Sequence, residues 1–388
     1  APVRLKLTFA ELPAEVMTPF DPYTGSLSRA WLQDEVVTIM RLPEEVKIPR
    51  RIACRSVTIE VLAQSYFDFV IEDFSFDAVT SATGEPMALS EDCDPMIRRI
   101  NQVGLKTLAE CMQTVYEDGP KRDQRLWIGD LYLEALANAY SYRNHTLTKR
   151  CLYLLAALAD EDGYLHATVY EYPTPMPQIN QHVHDYSLLY GVALLEYFKE
   201  TGDRQTAEDL WPVVEYQVEF ARTYLKDGIY DVNKQPAWWL VFDWKDDLNR
   251  ATPMQGLMTF CIAKSYELAE MLGYEDREPV KEWEKVLDQM RRASKSELYD
   301  KKRGVMLSGE QGQISYLSQA WMTLSDTFSR KEAQRAMRYV LEDESTCYPG
   351  SPYAYHYIIE ALLHCGMETQ ARELMLKYWG GMIDKGAD

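Results

Sequence analysis

Several features are missing from this sequence. No apolar run approaches the roughly 20 residues that a membrane-spanning helix needs. No CxxC pair or His/Cys cluster has the spacing of a zinc site. The seven cysteines are scattered, and four of them fall in helical patterns, where a free thiol acts as a small apolar side chain (Cys111, Cys151, Cys261 and Cys365). The sequence therefore predicts neither membrane insertion nor bound metal, and the cysteines say little about the compartment.

Basic residues are also scarce. The chain has 41 Lys and Arg against 60 Asp and Glu, a net charge of -19 that is not confined to one tail. Such a surface repels phosphate backbones and anionic lipid, so nucleic acid is not an expected partner. The 46% apolar and 26% charged residues are ordinary for a globular protein with a large core.

The start of the chain carries no initiator Met and no signal-peptide pattern. Residues 1–90 are rich in short β-type runs such as VTIEVL (57–62) and FDFVI (67–71), punctuated by Pro and Gly. This stretch is short for a whole sandwich. We therefore expect the end of a β-sandwich domain over 1–90, in a chain truncated at its start.

From about residue 94 the apolar spacing becomes helical. Eleven patterns follow with no convincing strand between them: 94–115, 128–143, 146–159, 185–201, 204–226, 253–272, 278–297, 313–326, 330–342, 352–365 and 368–379. Some are apolar on nearly all sides, and others carry one apolar stripe, as inner and outer helices of two concentric rings would. The fold expected for 91–388 is a mainly α (α/α)6 toroid, with its twelfth helix missing. An open helical solenoid is the alternative, but no fixed repeat supports it.

The chemistry concentrates in DGPKRDQRLWIGD (118–130), at the turn between the first two helices. Three acids, two arginines and a Trp lie there, with Gly119, Pro120 and Gly129 bending the backbone. Glycoside cleavage needs one protonated and one ionised carboxyl group, and crowded carboxylates raise at least one pKa. The simpler alternative is a capping loop with a solvated charge cluster.

This loop resembles the signature loop of α-L-rhamnosidases of glycoside hydrolase family 78, which has the pattern D-x-x-x-R-[DE]-x-x-x-W-x-G-D. Four further segments are similar to that family: HDYSLLYGVALLEYFKETGD (184–203), FDWKDD (242–247), SPYAYHYIIEALLHCG (351–366) and YWGGMIDKGA (378–387). The resemblance covers residues 50–388. It implies an inverting enzyme that cleaves terminal α-L-rhamnosyl residues from a glycoside or polysaccharide and needs no cofactor.

The resemblance assigns roles within the loop. Asp118 and Arg122 would bind sugar hydroxyls, Asp123 would be the general acid, and Trp127 would line the sugar pocket. Asp130 would orient the water or the substrate. An alternative alignment puts Gln124 at the acid's position. The family's general base follows the closing Gly-Ala, so we expect it to lie beyond Asp388.

Other candidates carry weaker signals. Trp244 is expected to line the pocket, and either Trp238 or Trp239 could join it. Asp185 is expected to cap a helix or to bind sugar. His356 could face the barrel mouth, although a core position is favoured. His182 and His184 have no third ligand in view, so we predict no metal site.

Two rivals to rhamnoside hydrolysis stay open. One is hydrolysis of another hexosyl or uronosyl unit on the same toroid, and the other is a non-catalytic sugar-binding remnant. The resemblance leaves a homodimer possible. It leaves the compartment open, with the periplasm or the exterior favoured if the parent protein degrades bacterial polysaccharide.

Overall fold

The computed structural model describes residues 2–25, 28–63, 66, 68–179, 181–234 and 240–387. Trp238 and Trp239 lie outside the described residues. In the part that is described, no helix is both long and apolar enough to cross a membrane.

The N-terminal portion is a three-stranded antiparallel sheet. Strand β1 (Val3–Ala10) lies between β2 (Asp34–Ile39) and β3 (Ser56–Ala63). Alternate residues of β1 are buried, as the period of two in a half-buried strand requires. A short helix, α1 (Pro13–Met17), follows β1. The β portion predicted for this stretch is thus present as one sheet among the described residues.

The prediction of a second strand over 67–71 is wrong for residues 68–71, the part of that run that is described. Residues 68–71 belong to no strand, and Phe67 lies outside the described residues. Val70 and Ile71 are 79% and 48% exposed. β-branched residues form a strand only where a neighbouring strand and a core receive them, and among the described residues no strand pairs with 68–71.

All eleven helices predicted from residue 94 onward are found. They are α2 (Pro95–Cys111), α3 (Ile128–Ala139), α4 (His145–Ala157), α5 (His184–Thr201), α6 (Arg204–Arg222), α7 (Ala251–Leu272), α8 (Trp283–Glu297), α9 (Tyr316–Leu324), α10 (Arg330–Glu342), α11 (Pro352–His364) and α12 (Glu368–Asp384). The stop signals also hold, because Gly202 and Gly273 end α5 and α7 in the left-handed conformation that glycine adopts without a Cβ clash.

The helices form two layers. Inner helices α3, α5, α7, α9 and α11 pack side by side in chain order, and each outer helix packs on an inner one. Helix α12 packs against α2, which brings the two ends of the outer layer together. Helix α5 is buried on almost every side, whereas α8 buries one stripe, Trp283, Leu287, Met290 and Ser294. Hydrophobicity on all sides suits an enclosed helix and a single stripe suits an outer one.

Short strands do occur between the helices, which the sequence analysis did not predict. Strands β4 (Leu126–Trp127), β5 (Thr168–Tyr170) and β6 (Met176–Pro177) form one small sheet. β7 (Leu225–Lys226) pairs with β8 (Ile229–Tyr230), and β9 (Tyr299–Asp300) with β10 (Val305–Met306). All lie in the long connections that lead into inner helices, so they brace one end of the barrel. Their two- or three-residue length is below what hydrophobic alternation can reveal.

Candidate active site

The acidic loop, residues 118–130, is folded around the side chain of Asp118. Its carboxylate accepts hydrogen bonds from the backbone amides of Asp123 (3.1 Å) and Arg125 (3.2 Å). The Asp118 amide in turn donates to the Arg125 carbonyl at 3.0 Å. The loop ends in β4, which pairs with β5 and so ties the acids to the connection before α5.

Asp123 lies between two arginines. Its oxygens are 3.6 Å from Arg122 Nη1 and 3.9 Å from Arg125 Nη1, and only 11% of its side chain is exposed. Its Oδ1 atom is buried and has no hydrogen-bond partner among the described residues. The distance from Arg122 Nη1 to Oδ1 is longer than a normal hydrogen bond, so this oxygen is left unsatisfied. Gln124, the alternative acid position, turns away because its amide donates back to the Pro120 carbonyl.

Asp118 and Asp130 share one electrostatic environment. Burial, together with the negative charges of Asp118 and Asp123, raises the pKa of Asp130 to about 7. Burial also raises the pKa of Asp118 to about 6, against the hydrogen bond from the Asp123 amide. Asp130 lies in the first turn of α3, whose free amides favour a carboxylate. A carboxyl group with a pKa raised in this way can hold its proton close to neutral pH, as general acid–base catalysis requires.

Glu134 is a fourth acid that sequence reasoning missed. It lies one helical turn after Asp130 on α3, and burial followed by Asp130 raises its pKa well above the usual value. Its Oε2 atom has no hydrogen-bond partner in the described chain. The spacing of four residues from Asp130 was the only available signal.

Trp127 and Tyr186 form an aromatic wall beside the acids. Trp127 is the residue before α3, and its ring meets the ring of Tyr186 edge to face at 6.3 Å. Its Nε1 atom is buried without a partner among the residues described. A Cβ on Gly129 would lie 2.4 Å from the Tyr186 ring, so the Gly of the motif is required by this packing. Tyr186 also packs at 6.1 Å from Tyr353 of α11.

Asp185 does not cap helix α5, and its carboxylate binds backbone amides of another segment. It is 1% exposed, and its carboxylate accepts from the amides of Val241 and Phe242, each at 3.2 Å. Burial raises its pKa to about 6, and these two amides oppose that rise. Helix α5 begins after Val183 without a side-chain cap. Asp185 therefore anchors the segment that carries Trp244.

The Trp244 segment also contacts the connection that precedes α11. Asp243 is buried, and its Oδ2 atom accepts from the Gly350 amide at 2.6 Å, whereas Oδ1 has no partner in the described residues. Trp244 itself is 70% exposed. Since Asp185 holds this segment and Tyr186 packs on Gly129, adjacent residues of α5 link it to the acidic loop. Asp243 was within the FDW motif, but sequence reasoning chose only the Trp.

His356 lies in the second turn of α11 and is partly exposed. Its Nε2 atom is 3.4 Å from Glu360 Oε2 of the same helix. His184 is buried, with its Nδ1 atom 2.8 Å from the Tyr230 hydroxyl. Neither contact joins these histidines to the acidic loop.

Comparison with known proteins gives this arrangement a family. Residues 90–388 match the bacterial alpha-L-rhamnosidase 6 hairpin glycosidase domain, and residues 1–78 match the glycosyl hydrolase family 78 alpha-rhamnosidase N-terminal domain. The chain belongs to glycoside hydrolase family 78. It is a glycosidase of the six-hairpin, α-L-rhamnosidase type, as the loop motif predicted.

Solved structures agree with this family. A rhamnosidase from Klebsiella oxytoca with rhamnose bound matches 100% of this chain and 74% of its own at 36% identity, with a TM-score of 0.93. The family 78 rhamnosidase of Bacillus sp. GL1 (18% identity, TM-score 0.74) matches over 99% of this chain, and the Streptomyces avermitilis α-L-rhamnosidase complexed with L-rhamnose (16%, 0.69) over 100%. The match spans only 39% and 36% of those two longer chains. A search of curated proteins found no match.

Proposed function

We propose that this family 78 enzyme hydrolyses terminal α-L-rhamnosyl residues with inversion, and that Asp123 is the proton donor. The observation that carries the proposal is the pair of buried polar atoms left without partners in the acidic loop, Asp123 Oδ1 and Trp127 Nε1. Buried polar groups in native proteins are nearly always satisfied. A bound sugar would supply partners for both.

The chemistry follows from the surroundings of Asp123. As the glycosidic bond breaks, its carboxyl group gives a proton to the leaving oxygen. The carboxylate that remains is stabilised by Arg122 and Arg125, at 3.6 and 3.9 Å. A water molecule, activated by a base on the opposite face of the sugar, attacks C1 and inverts it. Inverting enzymes separate the two carboxyl groups by roughly 6.5–9.5 Å to fit this water.

The remaining loop residues would hold the sugar. Arg122 and Asp118 are proposed to bind hydroxyl groups, and Asp130 to orient the substrate or the water. Trp127 and Trp244 offer flat apolar surfaces that suit the methyl group of a 6-deoxyhexose. The rhamnose found in the Klebsiella oxytoca and Streptomyces avermitilis enzymes supports a rhamnose-containing substrate. We also propose the division near residue 90, with the catalytic barrel over 91–388.

The test is hydrolysis of an aryl α-L-rhamnoside followed by proton NMR. Inversion releases β-L-rhamnose first, before mutarotation. An initial α-anomer would mean a retaining mechanism, and absence of turnover by the intact protein would refute the assignment. Aryl β-D-glucosides and β-D-glucuronides serve as matched substrates that should not be cleaved.

A further inference from the structure

We propose that Trp31, in the N-terminal β portion, is a positioning residue of the active site that acts through Arg122. Trp31 ends a short 3-10 helix, Arg29–Trp31, which precedes β2. The Arg122 guanidinium carbon lies 4.6 Å from the centre of the Trp31 ring. This inference rests on the proposed role of the acidic loop.

The contact holds Arg122 at a particular distance from the proposed acid. A cation over an indole face is attracted by the ring's electron density, most strongly when water is excluded. Trp31 is half-buried, and Arg122 keeps 37% of its side chain exposed. The Arg122 Nη1 atom lies 3.6 Å from Asp123 Oδ1. The charge is therefore close enough to stabilise a carboxylate, yet Oδ1 stays free of a direct hydrogen bond.

The N-terminal portion also contacts the acidic loop at Lys121, the residue before Arg122. Lys121 Nζ lies 2.5 Å from Glu15 and 3.8 Å from Glu11. The amide of buried Gln33 donates to the Lys121 carbonyl at 3.4 Å, and its oxygen accepts from the Ala53 amide at 3.2 Å. These contacts fix the backbone from which the Arg122 side chain extends.

A further ion pair holds the start of the loop. Arg51 Nη2 lies 2.5 Å from Glu117, which is 4% exposed. The barrel side of the loop is organised internally by Asp118, and the opposite side is organised by the β portion. The active site is thus completed by residues that precede the barrel in the chain.

Removing the indole should let Arg122 swing towards Asp123. A bidentate Arg–carboxylate pair is stronger than the open arrangement, and it would hold Asp123 as a carboxylate that cannot give a proton. Asp123 is also faced by Arg125, Asp118 and Asp130. Because those groups stay in place, a change in pH dependence would report on Arg122.

The experiment compares Trp31→Ala, Trp31→Leu and Trp31→Phe in the intact protein. We expect Ala and Leu to lower kcat on a rhamnoside with a poor leaving group by roughly tenfold or more, a barrier change of about 1.4 kcal/mol. The basic limb of the pH–rate profile should move to lower pH in both. The Trp31→Phe variant keeps an aromatic ring face and should retain most of the activity.

Phe74→Ala is the matched control, because Phe74 is a half-exposed aromatic residue that precedes the barrel and packs on Phe76 at 5.0 Å. It should leave kcat and the pH profile unchanged. If Trp31→Leu behaves like the wild type, or if Phe74→Ala shifts the profile equally, the inference is overturned. If the wild type cleaves no rhamnoside, it is the proposed function that fails. Thermal melting separates misfolding from mispositioning, and Trp31→Leu retains apolar bulk in case Trp31→Ala does not fold.

Discussion

The carboxylate of Asp118 accepts a hydrogen bond from the backbone amide of Asp123 at 3.1 Å, so one proposed site acid holds the other in place. The two residues therefore have separable roles. Loss of the Asp118 carboxylate releases the loop, whereas loss of the Asp123 carboxyl leaves the loop folded and removes only the proposed proton.

Asp123→Asn should affect substrates unequally. Poor leaving groups need protonation, and a positioned general acid contributes roughly 10²- to 10⁴-fold. Activated aryl rhamnosides depart without a proton and should be affected much less. Asp118→Ala, which disrupts the loop, should reduce both. The measurement is kcat/KM over a series of leaving groups, and equal losses for Asp123→Asn would mean that Asp123 binds the sugar instead.

Gly129→Ala should damage both stability and activity. The added Cβ would lie 2.4 Å from the Tyr186 ring, and overpacking of this kind typically costs about 1–3 kcal/mol. Trp127 should move with Tyr186, so KM should rise. Gly104→Ala on exposed α2 is the control, since nothing lies within 4 Å of its added Cβ. That change should be neutral or stabilising by roughly 0.5–1 kcal/mol. Similar melting temperatures for the two variants would contradict the packing argument.

Glu134 should make stability depend on pH. Burial raises its folded-state pKa well above 4.5, so the folded protein holds this proton more tightly than the unfolded chain does. The contribution is complete below about pH 4.5 and is lost as pH rises through the folded-state pKa. Glu134→Gln mimics the protonated form and should raise Tm at pH 8 more than at pH 5. The control is Glu310→Gln at an exposed position, which should leave Tm unchanged at both pH values. An equal effect of Glu134→Gln at both pH values would show that its carboxyl is not kept protonated by folding.

Asp185 and Trp244 should be coupled. Asp185 anchors the amides of Val241 and Phe242, so Asp185→Ala should release the segment that presents Trp244. KM should rise in Asp185→Ala and in Trp244→Ala, and the double variant should be little worse than Asp185→Ala. Fully additive effects in this double-mutant cycle would separate the two residues and weaken the shared-pocket prediction. Tyr172→Ala, which removes another highly exposed aromatic side chain (90% exposed), serves as the control.

Much of the fold was accessible from the sequence because helices are local. Apolar spacing located eleven helices, although several boundaries moved; the pattern 128–143 ends as a helix at Ala139. The prediction of a strand at 67–71 failed because a strand needs a partner strand, and the local sequence pattern does not show whether one is present. The acidic loop was recognisable because its acids, arginines and Trp lie within thirteen consecutive residues.

The sequence by itself determined the class of fold, the family and the loop that carries the acids, since each depends on residues close together in the chain. Tertiary structure alone decided which acids are buried and what they hold. Asp185 is committed to amides 56 and 57 residues away, and Gln33 reaches Lys121 across 88 positions. Trp31 meets Arg122 in the same way. Such contacts arise when separate elements pack around one core. Hydrophobic periodicity repeats within a few residues and therefore cannot predict contacts between residues far apart in the chain.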